Sequence, residues 1–131
     1  MSLQVLIDFK THLIKFMDEL IIQLPQEPDL VICRIFLNDQ VPIESIMQYF
    51  IMTVLPLRQY VKKKDAAFFL QHNILFGKLD RNKVNHFKRL WGSNALDEDD
   101  RAVIWAWFDC FIKLAEKYQK CKESEEQVSP Y

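Results

Sequence analysis

The side chains in this chain that could bind a metal ion or act as a nucleophile are three histidines and three cysteines: His12, His72, His86, Cys33, Cys110 and Cys121. None of them stands at the C-x2–4-C or H-x3–5-H spacing from which zinc sites are usually built. Cys110 lies between Asp109 and Phe111, in an apolar stretch that favours a small core residue over an activated thiol. The two glycines are isolated, so the sequence contains no glycine-rich phosphate loop. The pattern therefore predicts no cofactor and no enzymatic activity.

Four consecutive acids, Asp-Glu-Asp-Asp, occupy residues 97–100. They lack the spaced oxygens and the central glycine of a calcium-binding loop. A helix start is the better interpretation, because the exposed N–H groups and the dipole of a helix favour negative charge in its first turn. We expect Asp97 or Ser93 to cap the helix that begins here.

Asp109 is an acid in the middle of an aromatic-rich helical stretch, and we treat it as a candidate buried polar residue. Its carboxylate must either reach solvent or find a hydrogen-bond donor or a cation. Lys113, four residues on, offers a contact worth about 0.2–0.5 kcal/mol if the pair is exposed. A buried Asp109 would need a tertiary partner, such as a tryptophan N–H or one of three arginines: Arg34, Arg58 or Arg89.

The charge is unevenly distributed along a chain whose net charge is only −1. Residues 58–89 contain nine Lys or Arg and two Asp or Glu, whereas the segments on either side are acidic. One possible polyanion-binding face combines seven of these cations: Lys62, Lys63, Lys64, Arg81, Lys83, Lys88 and Arg89. Asn82 and Asn85 would supply further donors to phosphates. The competing interpretation is a solvated basic face that the acidic flanks neutralise.

Aromatic residues are the other candidate functional feature. Those that we consider for a protein interface are Phe68, Phe69, Trp91, Trp105, Trp107 and Tyr118, together with Phe76. They offer more aromatic surface than one central helix easily covers, and aromatics on a polar-rimmed face often mark an interface. The alternative is that all of them belong to the core.

The elements that must position these side chains are predicted to be helices. Half of the residues are hydrophobic, and two glycines and five prolines leave little material for the turns of a β-rich fold. From residue 104 to 118 one apolar stripe steps by four, three, four and three residues, which predicts a helix over about 97–122. The stripe consists of Ile104, Phe108, Phe111, Ala115 and Tyr118. We expect an all-α, compact bundle of about five to six helices around this central C-terminal helix.

The other helices are predicted from apolar periodicity and helix-stopping residues. Their expected ranges are 3–24, 30–37, 43–54, 57–64 and 81–91, with a further turn or two over 66–73. A buried strand is the competing interpretation for 30–37. Pro56 should end or kink the third helix. Gly92 should be the C′ residue of the helix over 81–91. Gly77 is the best candidate for a positive φ.

Residues 1–122 are expected to form a single helical domain, followed by a flexible tail over 123–131. The longest apolar stretch, 45–57, is shorter than the ~20 residues that a bilayer crossing needs. The odd number of cysteines, and an N-terminus without signal-peptide character, predict a reducing intracellular compartment, the cytoplasm.

About the last fifty residues of the chain resemble the C-terminal region of small uncharacterised proteins of large nucleocytoplasmic DNA viruses. The residues that carry the resemblance are Phe87 to Trp91, Leu96, Asp99 and Asp100, Ile104 to Asp109, Phe111, and Leu114 to Tyr118. The resemblance implies a viral or host-cytoplasmic setting, such as a virus factory or a particle component. Taken together, we expect a non-enzymatic interaction or assembly protein, a viral structural or accessory factor that binds a protein partner or itself. A polyanion-binding accessory protein is the alternative.

Overall fold

The computed structural model describes residues 2–68, 81–94 and 96–128, with their side chains except those of residues 81–84, 87 and 126–128. Almost all of these residues are helical, and none of them forms a β-strand. The α-helices are α1 (Ser2–Gln23), α2 (Pro28–Asp39), α3 (Ile43–Thr53), α4 (Arg58–Lys62), α5 (Arg81–Trp91) and α6 (Glu98–Val128). A 3-10 turn, Leu55–Leu57, lies between α3 and α4. The all-α fold class predicted from composition and periodicity is confirmed.

Proline residues set two of the helix boundaries. Helix α1 ends at Gln23, where the chain approaches Pro25, and α2 begins with Pro28 in its first turn, a position where the missing N–H costs nothing. Helix α2 is longer than predicted at both ends, and the strand alternative for this segment is wrong. Pro56 interrupts the helical path as expected, because α3 gives way to the 3-10 turn that contains it.

Helix α4 ends in a left-handed residue that the sequence did not reveal. It stops at Lys62, and Lys64 has a φ of 56°, the one positive φ of a non-glycine residue among the described residues. The N–H groups of Lys64 and Asp65 return to the carbonyls of Val61 and Tyr60 at 2.9 Å each, which is the Schellman arrangement. Residues 66–68 then resume a helical turn, in which the carboxylate of Asp65 accepts from the N–H of Phe68 at 3.1 Å. The rest of the predicted turn and the Gly77 position lie outside the described residues.

Helix α5 has the predicted bounds, but the role predicted for Gly92 is wrong. Its φ is not in the positive range that a C′ glycine adopts. The reason is that Arg101 of α6 donates Nη1–H to the carbonyls of Trp91 and Leu96, at 3.0 and 2.7 Å. The exposed carbonyl at the end of α5 is thus satisfied by a side chain, and no left-handed residue is needed.

Helix α6 continues to Val128, six residues beyond the predicted end at Lys122, so the first part of the predicted tail is helical. At 31 residues it is about 45 Å long. Its last turns are attached to the start of α1, because the backbone N–H and the hydroxyl of Ser2 both donate to the carboxylate of Glu125 at 2.9–3.1 Å. Residues 129–131 lie outside the described part of the chain.

The core is organised around two helices rather than one. Helix α1 packs against α6, α2 and α3, and α6 packs against α1, α3, α4 and the 3-10 turn. At their contact, Phe111 is 2% exposed and is surrounded by five rings at centroid distances of 5.6–6.3 Å. Those rings belong to Phe9, Phe16, Phe50, Trp107 and Phe108. Such aromatic pairs add about 0.5–1.5 kcal/mol each beyond the area they bury.

The buried stripes agree with the apolar periodicity in part. In α1 the spacing predicts a stripe from Leu3 through Leu6 to Leu24; Leu6 and Leu24 are buried, whereas Leu3 is exposed and Val5 and Phe9 are buried in addition. In α6 Phe111, Ala115 and Tyr118 are buried as expected, and Ile112 joins them. Position 112 is buried because α3 and α4 cover the side of α6 next to the α1 contact.

A second, smaller cluster lies where α1, α2 and α5 meet the start of α6. Its buried members are Met17, Leu24, Leu30 and Leu96, and Trp91 packs against it. Among the described residues, no helix combines the length and the hydropathy that a membrane crossing requires.

Candidate interaction surfaces

The histidines and cysteines do not converge. His12 Nδ1 lies 2.6 Å from the carbonyl oxygen of Asp8, one turn earlier in α1, and His86 Nε2 pairs with Glu27 at 2.7 Å. His72 lies outside the described residues. Within the described ranges, no three or more His, Cys, Asp or Glu side chains are grouped so that they could hold a metal ion.

Cys110 has the character of a packing residue. It is half-buried on α6, and burial raises the pKa of its thiol, an effect that the nearby Lys113 ammonium only partly opposes. A raised pKa keeps the thiol protonated at neutral pH, and the protonated thiol is a poor nucleophile. Cys33 and Cys121 are also free thiols.

The acidic run at the start of α6 forms a reciprocal cap. Asp97 Oδ1 accepts from the N–H of Asp100 at 2.8 Å, and Asp100 Oδ2 accepts from the N–H of Asp97 at 3.0 Å. Asp97 is therefore the N-cap, as one of the two candidates predicted. Asp100 Oδ2 also accepts from Nε2 of Gln23 at 2.9 Å, which links the end of α1 to the start of α6.

Asp109 is not a buried residue. Its side chain is 42% exposed, and its carboxylate pairs with Lys113 at 3.2 Å. The i,i+4 contact proposed from the sequence is present. Among the described residues, none of the three candidate arginines bonds to Asp109: Arg34 pairs with Asp18, Arg58 donates to the carbonyl of Leu55, and Arg89 is exposed on α5. Asp109 stays solvated because it faces away from the α1 contact of its helix.

The described residues of the predicted aromatic surface are divided among four places. Tyr118 is 5% exposed and belongs to the core, so its assignment to an interface is wrong. Phe68 is half-buried, and its ring stacks on Tyr60 at 3.8 Å between centroids. Phe69 and Phe76 lie outside the described residues.

The three tryptophans are half-buried. The rings of Trp91 and Trp105 meet edge to face at 5.7 Å, and they line a shallow cleft of about 310 Å³ with Lys64, Glu98 and Arg101. Trp107 lies on another side of α6, where its indole N–H donates to Oε2 of Glu19 at 2.6 Å. The tryptophans therefore form two separate surfaces rather than one.

The basic residues are only partly brought together. Lys62, Lys63 and Lys64 are exposed at the end of α4, and the cleft described above places Lys64 beside the end of α5. On α5 Arg89 is exposed and Lys88 is half-buried. The side chains of Arg81 and Lys83 lie outside the described set. The polyanion-binding face stays a prediction.

Helix α2 presents an apolar surface that the sequence analysis did not single out. One side of it, with Leu30, Arg34 and Leu37, faces α1, where Arg34 is held by Asp18. Four residues of the opposite side are 44–63% exposed: Val31, Ile32, Ile35 and Phe36. We call these four residues the outer α2 face. The available signal was that residues 30–37 are apolar all round the helix apart from Arg34, which is more than one partner helix can cover.

A groove runs between the second half of α1 and the first half of α6. It encloses about 320 Å³, and its lining is mostly apolar, with two carboxylates and one amide. The lining residues are Phe16, Glu19, Leu20, Ile22, Gln23, Leu96, Asp100, Val103, Ile104 and Trp107. We call it the α1–α6 groove. Trp107 is the only member that the sequence analysis named as a candidate for binding.

No family model matches the chain, and neither the curated proteins nor the solved structures that were searched contain a similar protein. A function for the outer α2 face or for the α1–α6 groove is therefore argued from the side chains that form each of them.

Proposed function

We propose that this protein is a non-enzymatic assembly protein that associates with a second copy of itself through the outer α2 face. The observation that supports the proposal is the exposure of Val31, Ile32, Ile35 and Phe36 on one side of a helix whose other side is packed on α1. Scattered single apolar residues are normal on a protein surface, but a contiguous group over two helical turns is typical of an interface.

The chemistry of the outer α2 face favours a second copy over a partner of opposite charge. A two-fold interface brings the same patch together with itself, so it needs a surface that does not repel its own copy. The outer α2 face contains no charged side chain, and Arg34, the one cation between residues 30 and 37, is turned toward Asp18 of α1. Two such helices can cross face to face without opposing like charges at the centre.

The apolar composition of the face agrees with the centre of a dimer interface. The largest apolar patch on a monomeric protein is about 300–600 Å² and is often functional. A stable interface buries about 800 Å² from each partner, with an apolar centre and a polar rim. The outer α2 face would form that centre, and exposed neighbours such as Asn38 and Asp39 would form part of the rim.

The resemblance of the C-terminal part of the chain to proteins of large DNA viruses is the reason to look for this assembly in an infected cell. A structural or accessory role there needs neither a catalytic residue nor a bound cofactor.

The test is the mass of the protein in solution, measured by size-exclusion chromatography with light scattering. We expect the wild type to be a dimer or larger, and Ile32→Glu and Phe36→Glu to be monomers that retain the helical circular dichroism spectrum. Met52→Glu is the matched control, because Met52 is 75% exposed on α3 and should leave the mass unchanged.

Three results would contradict the proposal. The first is a wild type that is monomeric over the whole accessible concentration range. The second is an oligomer that persists in both α2 variants. The third is an oligomer that is dissociated by Trp105→Glu alone, which would assign the interface to the Trp91–Trp105 surface.

A further inference from the structure

The α1–α6 groove has the composition of a site for a group that is apolar at its centre and positively charged at its edges. Its walls are rings and aliphatic side chains from Phe16, Leu20, Ile104 and Trp107. Ile22 and Val103 lie at the edges of the groove and are 78% and 49% exposed. Glu19 on α1 and Asp100 on α6 add one carboxylate from each wall.

Both carboxylates are held in place by donors of the chain itself. Glu19 accepts from the indole N–H of Trp107 at 2.6 Å, and Asp100 accepts from the amide of Gln23 at 2.9 Å. In each case the contacts among the described residues use a single oxygen, Oε2 of Glu19 and Oδ2 of Asp100. The second oxygen of each carboxylate is therefore available to accept from a ligand, and little side-chain entropy remains to be lost when it does so.

Among the described residues, no Lys, Arg or His side chain lines the groove. Arg101, next to Asp100 on α6, donates to the carbonyls of Trp91 and Leu96, and Arg34 on α2 pairs with Asp18. Lys15, one turn before Glu19 on α1, is exposed and is not a lining residue of the groove. The groove is consequently an apolar site with one carboxylate on each wall and no cation among its described lining residues, which favours a positively charged partner and opposes a negatively charged one.

We propose that the α1–α6 groove binds an amphipathic, basic helix of a partner protein. An apolar side chain of that helix fills the cavity, and lysines or arginines on its flanks contact Glu19 and Asp100. The lining extends over residues 16–23 of α1 and 100–107 of α6, which is two turns or about 10 Å of each. That length matches the i, i+4 and i+7 positions by which an amphipathic helix enters an apolar groove.

This inference does not depend on the outer α2 face. The two surfaces lie on different helices and share no residue, so either can fail while the other holds.

The test uses the full chain and a synthetic probe whose binding is followed by fluorescence anisotropy. The probe is a fluorophore-labelled helical peptide with leucines at i, i+4 and i+7, lysines beside them and alanine elsewhere. The comparison peptide has every lysine replaced by glutamate. We expect the lysine peptide to bind and the glutamate peptide to bind at least about tenfold more weakly.

Two variants test the assignment of the site. The double variant Glu19→Gln/Asp100→Asn removes both charges while each new amide oxygen can still accept the existing hydrogen bonds, and it should weaken the lysine peptide about tenfold. Ile22→Ser removes apolar surface from one edge of the groove without adding charge, and it should also weaken binding of the lysine peptide. The matched control, Glu44→Gln/Glu116→Gln, removes the same charge from α3 and from a part of α6 outside the groove and should not.

The proposal is overturned if the lysine peptide does not bind, if both peptides bind equally, or if the control weakens binding as much as the double variant does. It is also overturned if hexylammonium displaces the peptide completely at equal concentration, because the site would then recognise a small lipophilic cation rather than a helix.

Discussion

The indole N–H of Trp107 on α6 donates to the carboxylate of Glu19 on α1 at 2.6 Å, across 88 residues of sequence. This bond joins the two helices that form the core and, at the same time, positions a carboxylate at the α1–α6 groove. One contact thus contributes both to the fold and to the proposed binding site.

The Trp107–Glu19 bond should contribute measurably to stability. Glu19→Ala leaves the indole without its acceptor and should lower the free energy of unfolding by about 0.5–1.5 kcal/mol. Glu19→Gln keeps an acceptor oxygen and should lower it by less. Urea unfolding followed by tryptophan fluorescence measures both, and equal losses would show that the hydrogen bond is not the source of the effect.

Among the buried core residues, we expect truncation of Phe111 to lower the free energy of unfolding the most. It is 2% exposed and has five aromatic neighbours, so Phe111→Ala removes a large buried group and leaves a cavity. The expected loss is about 3–5 kcal/mol in the free energy of unfolding. Leu3→Ala, at a residue that is 65% exposed, is the control and should change it by no more than about 0.5 kcal/mol. Similar losses at the two positions would contradict the described core.

Lys64→Gly should stabilise the protein. The φ of 56° at Lys64 is unfavourable for a residue with a side chain and is readily adopted by glycine, so we expect a gain of about 0.5–1 kcal/mol. Lys63→Gly is the matched control, since Lys63 has a φ of −82° and the same substitution there should destabilise. Thermal unfolding separates the two, and a change of the same sign at both positions would be evidence against the left-handed cap.

The reciprocal cap of α6 should depend on the acceptor at residue 97. Asp97→Ala removes the oxygen that accepts from the N–H of Asp100 and should cost about 1 kcal/mol. Asp97→Asn retains an acceptor and should have a smaller effect. Both are measured by chemical unfolding, and an alanine variant as stable as wild type would mean that the cap contributes nothing.

The contact between Ser2 and Glu125 should make part of the stability depend on pH. Hydrogen bonds from the backbone N–H and the hydroxyl of Ser2 lower the pKa of Glu125 from its ordinary value of 4.5. A pKa that is lower in the folded state means that the stabilisation is present above pH 4.5 and is lost as the pH falls through the lowered pKa.

The comparison that checks this is thermal unfolding of wild type and Glu125→Gln as a function of pH. The wild type should be the more stable of the two at neutral pH, and the difference should vanish in acid. Glu123→Gln makes the same change of charge two residues away, on an exposed residue, and should show a smaller difference. A difference that does not vary with pH would rule out the carboxylate as its origin.

Local sequence signals predicted the helices well because each has a local cause. Pro25, Pro28 and Pro56 remove backbone donors at defined positions, and Asp97 accepts from a backbone N–H three residues away. These effects act within one or two helical turns and are visible in the sequence without knowledge of the fold.

The errors occurred where a residue of another helix decides the outcome. Gly92 does not need a left-handed conformation because Arg101 reaches back to the end of α5. Helix α6 does not end at Lys122, and Ser2, more than a hundred residues away in sequence, bonds its later turns. For Tyr118 the sequence predicts both a place in the apolar stripe of α6 and a place in an interface, and the packing of other elements on α6 decides for the core.

The amino-acid sequence alone determined that the chain is helical, where most helices begin and end, and that its aromatic residues are concentrated near the C-terminus, since propensity, proline placement and capping act locally. Only the tertiary structure decided which apolar residues remain on the outside of α2, and that Glu19 and Asp100 face one groove. A helix that is apolar all round does not specify which side its neighbour will cover. That choice depends on how α1 pairs with α6, and therefore on contacts between residues far apart in the chain.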